Sequence, residues 1–245
     1  MDALHRESNI YTFPYINGRI FDIASNSFLQ DDGDQFCTKQ VKGGPKLVDA
    51  NTELETVTET YGSNATFCVA NPSTNYWQGK ISDTSLDLLN SWGSAGVYID
   101  QIGAAKPYPC WDATMNHTMG GGTYWTQGYS KSLASIKDVS PSSPIVTEDC
   151  AEPYMGNLDG YLVLTTFKGT MALSPAASRS DSRRWNPAFA AVYGGYYVAM
   201  GAEWMQADFL DHDWWRGKLA ATFSGGTQMG WFSLAGLNDG QDHCR

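Results

Sequence analysis

Two short segments of this 245-residue chain end in an acid at the same relative place. Gly96-Val97-Tyr98-Ile99-Asp100-Gln101 and Pro144-Ile145-Val146-Thr147-Glu148-Asp149 each read as an apolar run closed by a carboxylate. Adjacent parallel strands lie about 4.8 Å apart. Inward-facing carboxyls at two neighbouring strand tips would therefore approach the roughly 5 to 5.5 Å that a double displacement at an acetal carbon requires. A shared low-dielectric site pushes the two pKa values apart, leaving one acid ionised and the other protonated. Asp100 is expected as the nucleophile and Glu148 as the acid/base. The competing account of each is a capping or salt-bridging acid at a strand end.

Residues able to hold a ring with many hydroxyls surround these positions. Sugar C–H faces are apolar and pack on aromatic rings, while the hydroxyls need planar donors and acceptors. Trp77, Trp111, Trp125, Tyr154 and Trp231 are the aromatic candidates, and Gln101, Asp112 and His117 the polar ones. Core packing competes for every aromatic, and Asp112 could instead start a turn. Glu152 and Asp159 are rivals for the donor role and further binding candidates. Glu152 follows Glu148 by four residues, so a short helix starting there would put both on one face. Asp159 could stabilise the transition state or cap a turn. Cys110, Asp112 and His117 lack a fourth ligand at zinc-site spacing, and Asp208, Asp211 and Asp213 read as an acidic helix start. No metal or cofactor is expected.

The elements that position these residues follow from the apolar pattern. Strands are expected over Ile10 to Ile16, Phe67 to Ala70, Gly96 to Asp100, Pro144 to Glu148, Gly160 to Thr165, Tyr196 to Ala202 and Met229 to Leu234. Most runs are continuous, as in strands covered on both faces. One helix is expected to start at Ser82/Asp83 and carry Leu86, Leu89 and Trp92. A second follows Thr123 and carries Trp125, Tyr129, Leu133 and Ile136, a core stripe. A third starts at Asn186-Pro187 and closes at Gly194-Gly195, and a fourth runs from Asp213 to Phe223. Strand alternating with helix is the pattern of parallel βα architecture. No glycine-rich phosphate loop follows a strand, which favours a (β/α)8 TIM barrel over an open doubly wound sheet. The reading is one barrel domain over residues 1 to 245. Lys39 to Thr66 reads as a long polar excursion, and Glu148 to Gly160 is short for a crossover helix. Six or seven strands are visible, so either two are poorly marked or the opening βα units are absent from this chain. In the latter case open edges invite a second copy, giving a homo-oligomer.

Composition narrows the function classes. The formal net charge of -10, with no cluster of basic residues, argues against a nucleic-acid partner. No stretch reaches the roughly 18 apolar residues of a membrane helix, and no signal peptide is read at Met1. Only 17% of residues are charged, while the chain holds 25 Gly, 9 Trp and 13 Tyr, a balance that favours a secreted or periplasmic carbohydrate-active protein. Five widely spaced cysteines, Cys37, Cys68, Cys110, Cys150 and Cys244, fit neither a disulfide framework nor a thiolate metal site. They allow two pairs at most.

The string Tyr98-Ile-Asp-Gln, Cys110/Asp112, His117 before Gly120-Gly121-Gly122, and Thr147-Glu148-Asp149-Cys150-Ala151-Glu152 resembles an uncharacterised bacterial family of glycoside-hydrolase-like TIM barrels. That family is distantly similar to the endo-α-N-acetylgalactosaminidase and α-amylase type of retaining enzyme. The resemblance covers about residues 10 to 235. It implies a nucleophilic Asp after one strand and a donor Glu after the next, acting on oligo- or polysaccharides, and gives a reaction class rather than a sugar. Family members carry further strands before the segment matching Tyr11 to Asn17. The competing class is a non-catalytic barrel fragment that binds carbohydrate through its aromatics. A lyase or esterase is a third, the esterase being disfavoured by the lack of a GxSxG elbow.

Overall fold

The computed structural model describes residues 9–44, 48–49, 51–62, 64–163, 188–201 and 212–230. The chain forms two compact units, Met1–Ser143 and Pro144–Arg245.

In the first unit, β1 (Tyr15–Asn17) and β7 (Val97–Asp100) pair in parallel, with Tyr15 opposite Tyr98 and Asn17 opposite Asp100. Successive side chains alternate between faces. Tyr15, Asn17, Tyr98 and Asp100 therefore share one face, and Ile16, Val97 and Ile99 the other. Val97 and Ile99 are fully buried. They belong to the helix side, where α2 (Asn75–Asn90) packs on β7 and on α3 (Tyr124–Val139). As expected, α3 buries Trp125, Tyr129, Leu133 and Ile136. Thr123 stands at its N-cap, although its side chain makes no capping bond. Gly128 lets α3 approach the loop before α2, because a Cβ there would meet the Pro72 carbonyl oxygen at 2.2 Å.

Two expectations are corrected here. Helix α2 begins seven residues before Ser82, and its cap is Thr74, whose side chain accepts from the Trp77 N–H. Ser82 resembles a cap in sequence, but its hydroxyl bonds back to the Gln78 carbonyl inside the helix. The exposed Trp92 lies beyond the helix end. The expected polar excursion at 39 to 66 is instead built of strands. β3 (Lys39–Val41) pairs with β4 (Leu54–Thr56), and β5 (Thr58–Tyr61) pairs with β6 (Ala65–Val69). The sheet β2-β6-β5 is antiparallel, with β2 at Ile20–Asp22. Between β2 and β3 lie α1 (Asn26–Gln30), capped by Ser25, and a 3-10 turn at Gly33–Phe36. A Cys37–Cys68 disulfide ties the end of that turn to β6, a pairing that cysteine spacing alone did not reveal. Cys110 and Cys150 are free thiols, and Cys244 lies outside the described residues.

In the second unit, β8 (Ile145–Glu148), β9 (Gly160–Val163), β10 (Val198–Gly201) and β11 (Gln228–Met229) are parallel neighbours in that order. The expected helices appear as α4 (Ala188–Tyr193) before β10 and α5 (His212–Ser224) before β11. The link from β8 to β9 holds one 3-10 turn, Glu152–Tyr154. The Tyr161 ring packs edge-on against Phe189 of α4 and against Tyr197. Thr147, opposite Tyr161, shares its face, so Val146, Glu148 and Leu162 take the face away from α4. The class is α/β with parallel strands and intervening helices, as read from the sequence. No helix among the described residues is long and apolar enough to cross a membrane.

Candidate active site

Asp100 closes β7 on the face away from the helices and is 9% exposed. Burying an ionised carboxylate costs several kcal/mol unless hydrogen-bond donors replace water. Three do so. The Tyr15 hydroxyl donates to Oδ2 at 2.7 Å, the Tyr98 hydroxyl to Oδ1 at 3.0 Å, and the Asn17 amide reaches Oδ2 at 3.3 Å. The β1/β7 register alone brings these side chains together. The sequence reading missed Tyr15 and Asn17 as site residues. Their signal was a Tyr-x-Asn spacing of two, the same period that separates Tyr98 from Asp100.

The residue after Asp100 has a left-handed backbone, Gln101 at φ 65. For an L residue with a long side chain this costs about 1 to 2 kcal/mol. The Gln101 side chain accepts from Arg19 Nε at 3.1 Å. It is thus engaged inside the protein. Arg19 grips Glu59 through two hydrogen bonds of 2.8 and 2.5 Å. Tyr61 and Tyr108 hydroxyls donate to the same carboxylate at 2.6 and 2.9 Å. The Arg19 hydrogen bonds hold the Glu59 carboxyl down at about 2. A cleft of about 540 Å³ opens beside this cluster.

The loop beyond Asp100 is fixed by its own contacts. Asp112 Oδ1 accepts from the Thr114 N–H and hydroxyl at 2.8 and 2.6 Å, so Asp112 starts a turn. His117 bonds through Nδ1 to the Thr118 carbonyl, which leaves Nε2 to accept from the buried Asn71 amide at 3.1 Å. Its ring stacks on Tyr124 with centroids 4.3 Å apart. The same Asn71 amide touches Cys110 and Met115, and burial pushes the Cys110 thiol up. The Trp111 ring lies over Gly120, where a Cβ would meet it at 2.5 Å. Trp77 is 5% exposed, packs on Phe21 and donates its indole N–H to the Gly18 carbonyl. Its ring is occupied by packing.

In the second unit Glu148 closes β8, half-buried, on the face away from α4. Here too the next residue is left-handed, Asp149 at φ 53, and its N–H bonds to the Leu162 carbonyl. Each of the two strand-end acids is thus followed by a backbone turn that keeps the acid at the tip. The Tyr161 hydroxyl anchors the loop at the Ala151 carbonyl. Burial, with the Asp149 charge, pushes the Cys150 thiol up to about 12. Tyr154 is buried, and burial also raises its phenol. Glu152 begins the 3-10 turn rather than a helix continuing from Glu148, and it accepts from the Tyr193 hydroxyl at 2.6 Å. Asp159 lies at the opposite end of the strands. Its Oδ2 accepts from the Ile145 N–H at 2.8 Å, and its backbone bonds Ile145 and Val198. Trp231, Asp208 and Asp211 lie outside the described residues. Among the described residues no group of three or more His, Cys, Asp and Glu could hold a metal ion.

Known proteins resemble this chain in both sequence and fold. A Monosiga brevicollis protein named "Putative glycoside hydrolase 22789" is 41% identical over 241 residues, covering 96% of this chain and 19% of that protein. The chain spans about a fifth of the length of the curated relatives it matches. The glycoside hydrolase domain of PelA from Pseudomonas aeruginosa superposes with a TM-score of 0.60 at 14% identity, over 96% of this chain and 82% of that one. The α-galactosidase TtGalA from Thermus thermophilus also gives 0.60, at 11% identity, over 98% of this chain and 50% of that one. At these identities the likeness is one of fold, that of TIM-barrel glycoside hydrolases. The profile of the domain of unknown function DUF6259 matches residues 2–204, and the chain belongs to that family.

Proposed function

We propose that this chain is barrel sequence of a glycoside hydrolase that cleaves O-glycosidic bonds of oligo- or polysaccharides with retention. The observation that carries the reading is the Asp100 carboxylate, buried at the C-terminal tip of β7 and held by Tyr15, Tyr98 and Asn17. In barrels of this class the reacting groups project from the C-terminal strand ends. The sequence relative's name points to the same reaction class.

In this mechanism the Asp100 carboxylate attacks the anomeric carbon and forms a glycosyl ester. The bond to the departing oxygen breaks, and that oxygen takes the proton of Glu148. Glu148, now a carboxylate, accepts a proton from water. The water oxygen attacks the same carbon, the ester breaks, and the sugar leaves with its original anomeric configuration while Asp100 is ionised again. Two carboxyls complete the cycle without metal or redox cofactor. Of the binding candidates, Trp111 and the loop held by His117 and Asp112 supply the ring-holding rim after Asp100 and Glu152 that after Glu148, whereas Tyr154 is buried and serves as packing. The Cys37–Cys68 bridge supports an oxidising compartment, outside the cytosol.

A panel of nitrophenyl glycosides and polysaccharides, with NMR of the first-formed anomer, tests this. Retention, lost turnover in Asp100→Asn and azide rescue of that variant are expected. Undiminished hydrolysis by Asp100→Asn, or inversion, would remove the assignment.

A further inference from the structure

The mechanism above leaves unused the most heavily bonded ion pair among the described residues. Arg19 is 4% exposed and its guanidinium meets Glu59 in a two-bond fork. Burial works against the Arg19 charge, and the bonds and charge of Glu59 outweigh it. With Tyr61 and Tyr108 also donating, the Glu59 carboxylate accepts four hydrogen bonds and stays ionised at any working pH. It is therefore no proton donor. What the pair does hold is Gln101. The third direction of the guanidinium, Nε, points to the Gln101 side chain. Gln101 has a backbone conformation that residues other than glycine and asparagine rarely adopt, so something outside the residue must favour it. The near end of the device is bolted to the same place. Asn17 accepts from the Arg19 N–H at 2.9 Å while its amide touches Asp100, and the Gly18 N–H bonds to the Asp100 carbonyl.

We propose that the Arg19–Glu59 pair positions the catalytic strand end, fixing the left-handed turn at Gln101 and through it the Asp100 carboxylate. Arg19, Glu59 and Gln101 are thus positioning residues, and the antiparallel sheet that carries Glu59 is the support of the nucleophile. The proposal rests on the reading of Asp100 as nucleophile.

The test is a double-mutant cycle on the whole chain with Glu59→Gln and Gln101→Ala, assayed well below the melting temperature. Each single variant is expected to lose about tenfold or more in kcat with KM within about twofold, and the double variant to lose no more than the worse single. A rise in KM alone would make the neighbouring cleft a substrate site instead, and additive losses would mean the pair acts elsewhere; either overturns the proposal. Should Glu59→Gln fail to fold, Gln101→Ala decides, since alanine removes the anchoring amide, leaves the ion pair intact and has no preference for the left-handed turn: wild-type kcat overturns the proposal. Crystal structures of wild type and Glu59→Gln give a readout independent of turnover. Residue 101 is expected to leave the left-handed region and Tyr15 to separate from Asp100, whereas an unchanged strand end overturns the idea. Wild-type hydrolysis by Asp100→Asn would sink the nucleophile reading alone, with the crystal comparison still deciding the positioning.

Discussion

The Tyr15 hydroxyl donates to Asp100 Oδ2 over 2.7 Å although 85 residues separate the two in the chain. A hydrogen bond to an ionised group contributes about 1.5 to 3 kcal/mol. Tyr15→Phe is expected to lower kcat/KM by about one to two orders of magnitude with little change in melting temperature, since the Tyr15 side chain is largely exposed. Steady-state kinetics alongside thermal melts check it. Unchanged kinetics would mean that Asp100 does not need this donor.

The Glu59 carboxyl gives the fold a pH dependence. Its folded value of about 2 lies below the ordinary 4.5. A depressed carboxyl contributes stability that is complete above the unfolded value and is lost as pH falls through the folded one, so the window is pH 4.5 down to 2. The side chain is 20% exposed. After discounting for solvent screening the contribution is on the order of 1 to 2 kcal/mol. Urea unfolding at stepped pH is expected to show this loss in the wild type and a flatter profile in Glu59→Gln. Parallel profiles would contradict it.

Among the described residues the cysteines form one bridge and two free thiols. The Cys37–Cys68 bridge closes a loop with a sequence separation of 31, for which chain entropy gives about 3.7 kcal/mol. Cys68→Ser or reduction is expected to lower stability by about 2 to 4 kcal/mol. Cys110 is fully buried and is expected to react with a thiol reagent only as the protein unfolds, while the half-buried Cys150, its thiol pKa pushed up by burial, is expected to react slowly. Fast labelling of Cys110 or Cys150 in the native protein, traced by peptide mapping, would refute this.

What the sequence made legible were the parallel strands, because runs such as Ile145-Val146-Thr147 are apolar or neutral throughout and buried on both faces. Both strand-end acids followed from those runs. Strands β3, β4 and β5 stayed hidden. They are three or four residues long; β3 is Lys39-Gln40-Val41, and β4 and β5 interleave Glu55 and Glu59 with threonines, so no apolar run marks them. The alternation of β-branched residues from Leu54 to Tyr61 was the available signal. The cradle of Asp100 and the Arg19–Glu59 fork were out of reach for a different reason. The Tyr15–Asp100 bond and the fork join residues 85 and 40 positions apart, and only the folded chain brings them together.

The strand register separates two acids that the sequence left as rivals. In the second unit Val146 stands opposite Gly160 and Glu148 opposite Leu162, so Asp159 is level with Ile145. At about 3.3 Å per residue, three residues put the Asp159 backbone level roughly 10 Å below that of Glu148 along the strand. Asp159 accepts from the N–H of the fully buried Ile145, so it closes the N-terminal edge of the sheet. Barrel chemistry sits at the other edge. Asp159→Ala is therefore expected to cost about 1 to 3 kcal/mol of stability, the penalty for an unpartnered buried donor, and to leave kcat within about twofold. Glu148→Gln is expected to do the reverse, keeping the fold while lowering kcat by about 10² to 10⁴, the range for a lost general acid/base. Melting curves and turnover numbers measured side by side on the two variants decide it. A loss of turnover in Asp159→Ala without loss of stability would return the donor role to Asp159.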